Sequence, residues 1–410
     1  MNPTLRTALA SLLPSARQTL LLRTCLLAGD PARAAWRRFS AAARDPASLF
    51  RIDRGRLNRL APLLLRALRR EELSADADLL TVLRTARLRE ELRAEAYRDI
   101  LRSVLRALRE RDVPVLLLKG AALGETVYPD PVLRHSHDID LLVRPRDRAA
   151  AAGALAGIGF ERKGDPYAAD DEEVHVHRSG LPVRLHARLF RPRPHDVDRE
   201  GLWRRRGRLS AGGERAYGLS PADALLHALG HASYCPGRDT LLWVCDASLI
   251  LRSTSEPDWE RLVEAAASAR LAIPVHLMLE YLAEELDAPV PSGVLGDLRA
   301  RARTAERFER DLALSAARES RRSGLGKMLA AATGPLEKLR LAWWILFPSP
   351  AYVRWAHGVE LRRRVWLTYL LRPISVAARR LRRGLARLGR TGTGRVTAEG
   401  DGARARPESP

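Results

Sequence analysis

Residues 116–147, LLLKGAALGETVYPDPVLRHSHDIDLLVRPRD, decide how the rest of the chain is read. Val113 to Leu118 forms a short apolar strand, Lys119-Gly120 follow, and a helical run begins near Ala121. Asp138 and Asp140 then stand two apart in DIDLLV. On a strand that spacing turns both carboxylates to one face, while Ile139 and Leu141 turn the other way into a core. Carboxylates converging from one face make a site for a hard divalent ion, Mg²⁺ or Mn²⁺, which takes oxygen ligands and keeps places for water and substrate phosphate. The helix start after Lys119-Gly120 suits phosphate, because its free N–H groups and dipole favour anions.

Outward from this stretch, the chain alternates between helical patterns and one region of strands. Residues 1–111 read as an N-terminal helical region, with Asp30-Pro31 opening one helix and Thr81 to Glu110 forming a long amphipathic one that feeds the first strand. Residues 112–200 read as an α+β core. An Ala-rich helix ends near Gly157, and Ser179-Gly180 joins the strands 173–178 and 182–189 as a hairpin, in a sheet with helices on one side. Residues 201–288 read as a helical domain, with a linker at 289–298 marked by Pro289, Pro291 and Gly293. Residues 289–389 read as a basic, aromatic-rich helical region, and 390–410, rich in Gly, Thr, Arg and Pro, as a disordered tail.

Leu118-Lys119-Gly120, Tyr128-Pro129, Arg134 and Asp138-Ile139-Asp140-Leu141-Leu142-Val143 resemble, in order and separation, the uncharacterised nucleotidyltransferase family of the DNA polymerase beta-like nucleotidyltransferase superfamily. A looser likeness extends to residues 60–68, 181–189, 219–232 and 241–252. The resemblance implies a small mixed or antiparallel sheet, the nucleotidyltransferase core, embedded in a mostly helical protein. It implies metal-dependent transfer of a nucleoside monophosphate from an NTP to an acceptor, with release of pyrophosphate. On that reading Asp138 and Asp140 hold the metal and act in catalysis with Lys119, while Lys119, Gly120, Arg134 and Arg184 contact the nucleotide.

The resemblance also implies a third carboxylate two residues before His186, where this chain has Arg184. Arginine neither binds a cation nor serves as a general base near neutral pH. Either an acid from the run Asp170, Asp171, Glu172, Glu173 substitutes, or the protein is a catalytically weakened nucleotide-binding scaffold. Toxin-like transfer to tRNA is a third reading. The acceptor, whether small molecule, saccharide, protein or RNA, is not written in these residues.

The net charge of +21 over 410 residues comes almost wholly from arginine, since lysine occurs only at 119, 163, 327 and 338. Such a bias is what a GC-rich bacterial genome produces, so the charge argues only weakly for nucleic acid, and it makes Lys119 conspicuous. Cys25, Cys235 and Cys245 are odd in number and form no CxxC pair, which fits a reducing cytoplasm and no zinc ribbon. No secretory signal opens the chain and no run of 18 apolar residues appears.

Competing motifs fail on their spacing. His135 and His137 precede Asp138 in the wrong register for a zinc hydrolase, and Ala228 replaces the glutamate that His227 and His231 would need for HExxH. GLGK at 324–327 lacks the earlier glycine of a phosphate loop. Residues 341–388 crowd Trp343, Trp344, Trp355 and Trp366 beside clustered arginines, a composition suited to peripheral contact with the inner membrane face.

Overall fold

A computed structural model describes residues 3–318 apart from 44, 52–56, 164–171, 191–193, 235–240 and 254–256. The chain divides into two units, 1–338 and 339–410, and every described residue lies in the first. The aromatic stretch 341–388, the tail 390–410, Cys235, Asp170 and Asp171 fall outside the described residues.

The chain opens with α1 (Pro3–Leu9), α2 (Ala16–Leu26), α3 (Gly29–Ala42), α4 (Pro46–Arg51), α5 (Ala61–Arg70) and α6 (Ala77–Arg109). The sheet region follows, with β1 (Val115–Leu117), α7 (Lys119–Thr126), β2 (Ile139–Val143), α8 (Arg148–Gly157), β3 (Phe160–Lys163), β4 (Glu172–His177), β5 (Pro182–His186), α9 (Arg199–Arg204), β6 (Gly207–Ala211) and β7 (Glu214–Gly218). Helices then return as α10 (Pro221–Tyr234), α11 (Leu242–Ser253), α12 (Trp259–Ser268), α13 (Ala272–Leu286), α14 (Ser292–Thr304) and α15 (Arg307–Arg318). The fold is α+β, a mixed sheet set in a mostly helical chain.

Seven strands form one sheet in the order β3-β4-β5-β2-β1-β7-β6. β2 pairs antiparallel with β1 and parallel with β5, which places the DIDLLV strand at the centre. The hairpin read from Ser179-Gly180 is present as β4 and β5, with Gly180 at φ +88. The β6–β7 pair, in contrast, lies within the stretch read as helical from the sequence. Gly212 and Gly213 (φ +58 and +82) make its two-residue turn, a conformation that needs positive φ at both central positions.

Alternation sorts the sheet into two cores. Ile139, Leu141, Val143, Val183 and Leu185 pack with Leu101, Val104 and Leu105 of α6 and Leu155 of α8. Leu116, Leu118 and Leu142 join instead a larger cluster containing Leu64 of α5, Leu225 and Leu226 of α10 and Leu279 of α13. Apolar packing therefore reaches both faces, where one covered side was expected. Strand β1 is apolar throughout because it sits between them.

Helix α6 links the two cores. Asp76 caps it by accepting from the Leu79 amide at 2.7 Å. Leu79 and Leu83 enter the larger core and Leu101 to Leu108 the smaller, while Leu88 and Leu92 between them are exposed. The expected linker at 289–298 is helix from Ser292, and Val294 and Leu298 of α14 are buried in the larger core. Pro291 initiates that helix, where a missing N–H costs nothing, and breaks no packing.

Candidate nucleotide site

The register of β2, β5 and β4 brings five polar side chains to one face of the sheet. Asp140 stands opposite Arg184 across the parallel pair, and His186 stands opposite Glu172 across the antiparallel one. Because side chains alternate, Asp140, Arg184, His186 and Glu172 share the face that Ile139, Leu141, Val183 and Leu185 leave, and Asp138, one residue before β2, joins them through Arg184.

Asp140 is only 2% exposed. Its Oδ1 accepts hydrogen bonds from Lys119 Nζ at 3.1 Å and pairs with His186 Nε2 at 2.7 Å. Burial alone would push the Asp140 carboxyl up, but the Lys119 ammonium and the His186 hydrogen bond outweigh it and hold the group well below the usual carboxylate range. Burial likewise opposes charge on Lys119, and the Asp140 and Asp138 carboxylates reverse that effect and raise it. Both groups are thus ionised near neutral pH. Lys119 reaches this position from a left-handed backbone, φ +47, which is uncommon for a side chain of its size and costs of order 1–3 kcal/mol.

Asp138 forms a second node. Arg184 donates from Nε to Asp138 Oδ2 at 3.0 Å and from Nη1 to Glu172 Oε1 at 2.7 Å. Tyr97 of α6 donates to the Asp138 carbonyl at 3.1 Å, fixing the strand entry. Glu173, one residue on, turns to the opposite side and meets Arg148 of α8 at 2.8 Å. Of the acidic run singled out in the sequence, then, Glu172 reaches the candidate site and Glu173 does not.

Gly120 has a steric role. A Cβ there would lie 2.1 Å from Ser136 Oγ and 3.2 Å from Ser136 Cβ, so glycine lets the loop before β2 close on the first turn of α7 without a shift of Ser136. Gly120, Ser136 and Arg134 line a cleft with Glu90, Arg93 and Tyr97 of α6.

Arg134, expected at the nucleotide, pairs with an acid of the helical part. Its Nε and Nη2 donate to the two oxygens of Asp246 on α11 at 2.7 and 2.8 Å, and Tyr128 donates to the same carboxylate at 2.7 Å. A fork-to-fork pair of this kind fixes the loop to the helical part, while Arg134 also lines the cleft with Gly120. His135 turns to Glu90, 3.0 Å away, while His137 lies 3.8 Å from Asp138 Oδ2. His227 is buried behind the site, its ring 5.9 Å from Phe190 and 6.1 Å from His231. Burial, with the Lys119 charge, pushes His227 down to about 3.

The donor chemistry, one carboxylate just before β2 and one within it, fits a hard divalent cation held by Asp138 and Asp140. No three ligand-type side chains converge on one point among the described residues, and protein cations already sit on both aspartates.

A profile of the family described as uncharacterised nucleotidyltransferase matches residues 52–287. The chain belongs to that family. The match runs from the N-terminal helices through the whole sheet to the end of α13, so this nucleotidyltransferase-family protein carries the aspartate strand and its supports inside the family's own bounds. Among solved structures it is similar to the solution structure of the antibiotic-resistance factor ANT(2'')-Ia, with 13% identity, a TM-score of 0.31, and coverage of 51% of this chain and 95% of that one. No curated protein matches it.

Proposed function

We propose that the protein moves a nucleoside monophosphate from an NTP to an acceptor hydroxyl at the Asp138–Asp140 face and releases pyrophosphate. The observation that supports this most is the meeting of Asp138, Asp140, Lys119 and Arg184 beside the glycine-opened start of α7. In the reaction the acceptor oxygen bonds to the α-phosphorus, the bond from that phosphorus to pyrophosphate breaks, and the hydroxyl proton leaves to water. A Mg²⁺ or Mn²⁺ ion, when bound, supplies Lewis-acid neutralisation of the charge gathering on the phosphate oxygens.

The chain's own part is positioning and electrostatics. Lys119 holds a compact positive charge at the start of α7, where the amides of the first turn also favour anionic oxygens. His186 and Lys119 keep Asp140 ionised and fixed. Gly120 keeps the approach of Ser136 close and the backbone within reach of phosphate. Arg184, a planar fork, suits a phosphate oxygen pair.

A second reading, nucleotide binding without efficient turnover, is favoured by the ion pair that Arg184 makes with Asp138. Incubating the purified protein with α-³²P-labelled NTPs, Mg²⁺ and a cell extract separates the two. The first predicts label carried to an acceptor by the native protein and not by Asp138→Asn. The second predicts bound nucleotide, no released pyrophosphate and no labelled acceptor.

No helix of the described residues is long and apolar enough to cross a membrane.

A further inference from the structure

We infer that Arg66, Arg69 and Arg87 form a second anion site, apart from the Asp138–Asp140 face, which takes the phosphate group of a small phosphate monoester. The inference does not depend on the nucleotidyl-transfer reading.

A cleft of about 260 Å³ opens between α5, α6 and the turn that follows α7, lined by Leu65, Arg66, Arg69, Arg87, Pro129 and Asp130. Leu64 and Leu68 bury the other side of α5 in the larger core, and Arg66 and Arg69 are left exposed. Three apart on the helix, the two are neighbours on one face. Neither makes an ion pair or a side-chain hydrogen bond among the described residues. Arg70 beside them, in contrast, bonds Glu71 and the Leu27 carbonyl. Arg87 closes the cleft from α6. It donates from Nη2 to Asp130 at 3.0 Å and from Nε to Glu91 at 2.7 Å, which fixes the guanidinium and leaves its Nη1 without a partner among the described residues.

The protein shows elsewhere what two arginines at this spacing do. Arg106 and Arg109 on α6 converge on a single carboxylate, each donating to one oxygen of Glu214 at 2.6 Å. Arg66 and Arg69 repeat the spacing, but among the described residues no acid takes the place of Glu214. Asp130 lines the cleft and is engaged by Arg87 and by the Val132 amide, at 3.0 Å each. An oxyanion that completes the arrangement therefore comes with a ligand.

Charge and shape select which oxyanion. A phosphate monoester carries about −1.5 to −2 charge at pH 7 and presents three terminal oxygens, which suits two unpaired guanidinium forks and a third, fixed one. A phosphodiester brings a single charge and two free oxygens. Pro129, exposed at the rim, adds an apolar contact for a short carbon skeleton.

The experiment is a calorimetric titration of the full-length protein with glycerol 3-phosphate, at constant ionic strength and without nucleotide or divalent metal. The native protein is expected to bind it, and the double variant Arg66→Gln/Arg69→Gln to bind about 10-fold or more weaker. Both side chains are exposed and unpaired, so that variant is expected to keep the native circular dichroism and unfolding midpoint. Arg66→Lys/Arg69→Lys keeps the charges without the forks and is expected to lie between the two. Lys119→Gln is expected to bind like the native protein, and dimethyl phosphate, a monoanionic diester, to bind about 10-fold or more weaker than the monoester.

No binding by the native protein, or equal binding by the native protein and Arg66→Gln/Arg69→Gln, overturns the site. Binding lost in Lys119→Gln and kept in the double variant puts the phosphate at α7 and also overturns it. Dimethyl phosphate bound as tightly as glycerol 3-phosphate overturns the choice of a monoester and marks a surface for a nucleic-acid backbone.

Discussion

The two faces of the central strands are built from alternate residues of the same segments and obey opposite rules. On one, Ile139, Leu141, Val183 and Leu185 of the two central strands are sealed against α6 and α8, and the polar contacts, such as Glu173 with Arg148, come from β4 at its margin. On the other, Asp138, Asp140, Glu172, Arg184 and His186 are joined by ion pairs and hydrogen bonds, with Asp140 and Glu172 buried and Arg184 and Asp138 partly exposed. The apolar face gains its stability from burial, and any loss there is a loss of fold. The charged face gains little net stability, because desolvation offsets Coulomb attraction, and on the proposed function what it provides is a set of charges fixed before a ligand arrives.

The largest expected contrast comes from Asp138. Asp138→Asn is isosteric and partly accessible, so it is expected to lower nucleotidyl transfer by about 100- to 1000-fold while leaving urea unfolding close to native. Leu141→Ala, three residues along the strand and on the sealed face, is expected to do the reverse. It should cost about 2–5 kcal/mol in urea unfolding, through the cavity it leaves, and keep the chemistry of whatever fraction stays folded. A strand in which both substitutions harmed stability alike would erase the distinction.

A smaller effect sharpens the comparison through pH. His227 behind the charged face is held down to about 3 by burial and by Lys119, whereas an unfolded histidine titrates near 6.5. Between those values the unfolded chain binds a proton that the folded chain refuses. Stability from this group is thus present above about pH 6.5 and falls as the pH drops toward 3. His227→Asn is expected to flatten the dependence of unfolding free energy on pH between 4 and 6 by about 1.4 kcal/mol per pH unit. The smallest effect is expected at the exposed edge strand β3, where Lys163 and Glu161 pair at 3.3 Å in solvent. Replacing Lys163 by Ala should change stability by less than about 1 kcal/mol.

How much of this was legible in the sequence depends on how local each interaction is. DIDLLV and VHVH alternate with period two, so the strands and the shared face of Asp138 and Asp140 could be read directly. Lys119 stood out because the chain so rarely uses lysine. The β6–β7 pair was missed because its apolar positions, Leu209, Ala211 and Ala216, are small and few. Its usable signal was the Gly212-Gly213 turn. The Arg134–Asp246 pair could not be read, because no local pattern announces Asp246, which lies 112 residues further on. Glu172 was one of four consecutive acids, and only the pairing of β4 with β5 shows which member faces Arg184.

The most direct test of the central claim is anomalous diffraction from Mn²⁺ in crystals grown with an NTP analogue that cannot be cleaved between its α and β phosphates. The account predicts a manganese peak against Asp138 and Asp140, with the triphosphate lying at the start of α7 by Lys119 and Gly120. A nucleotide bound on another surface, or ordered at α7 with both aspartates still held by Arg184 and Lys119 and no metal between them, would contradict it.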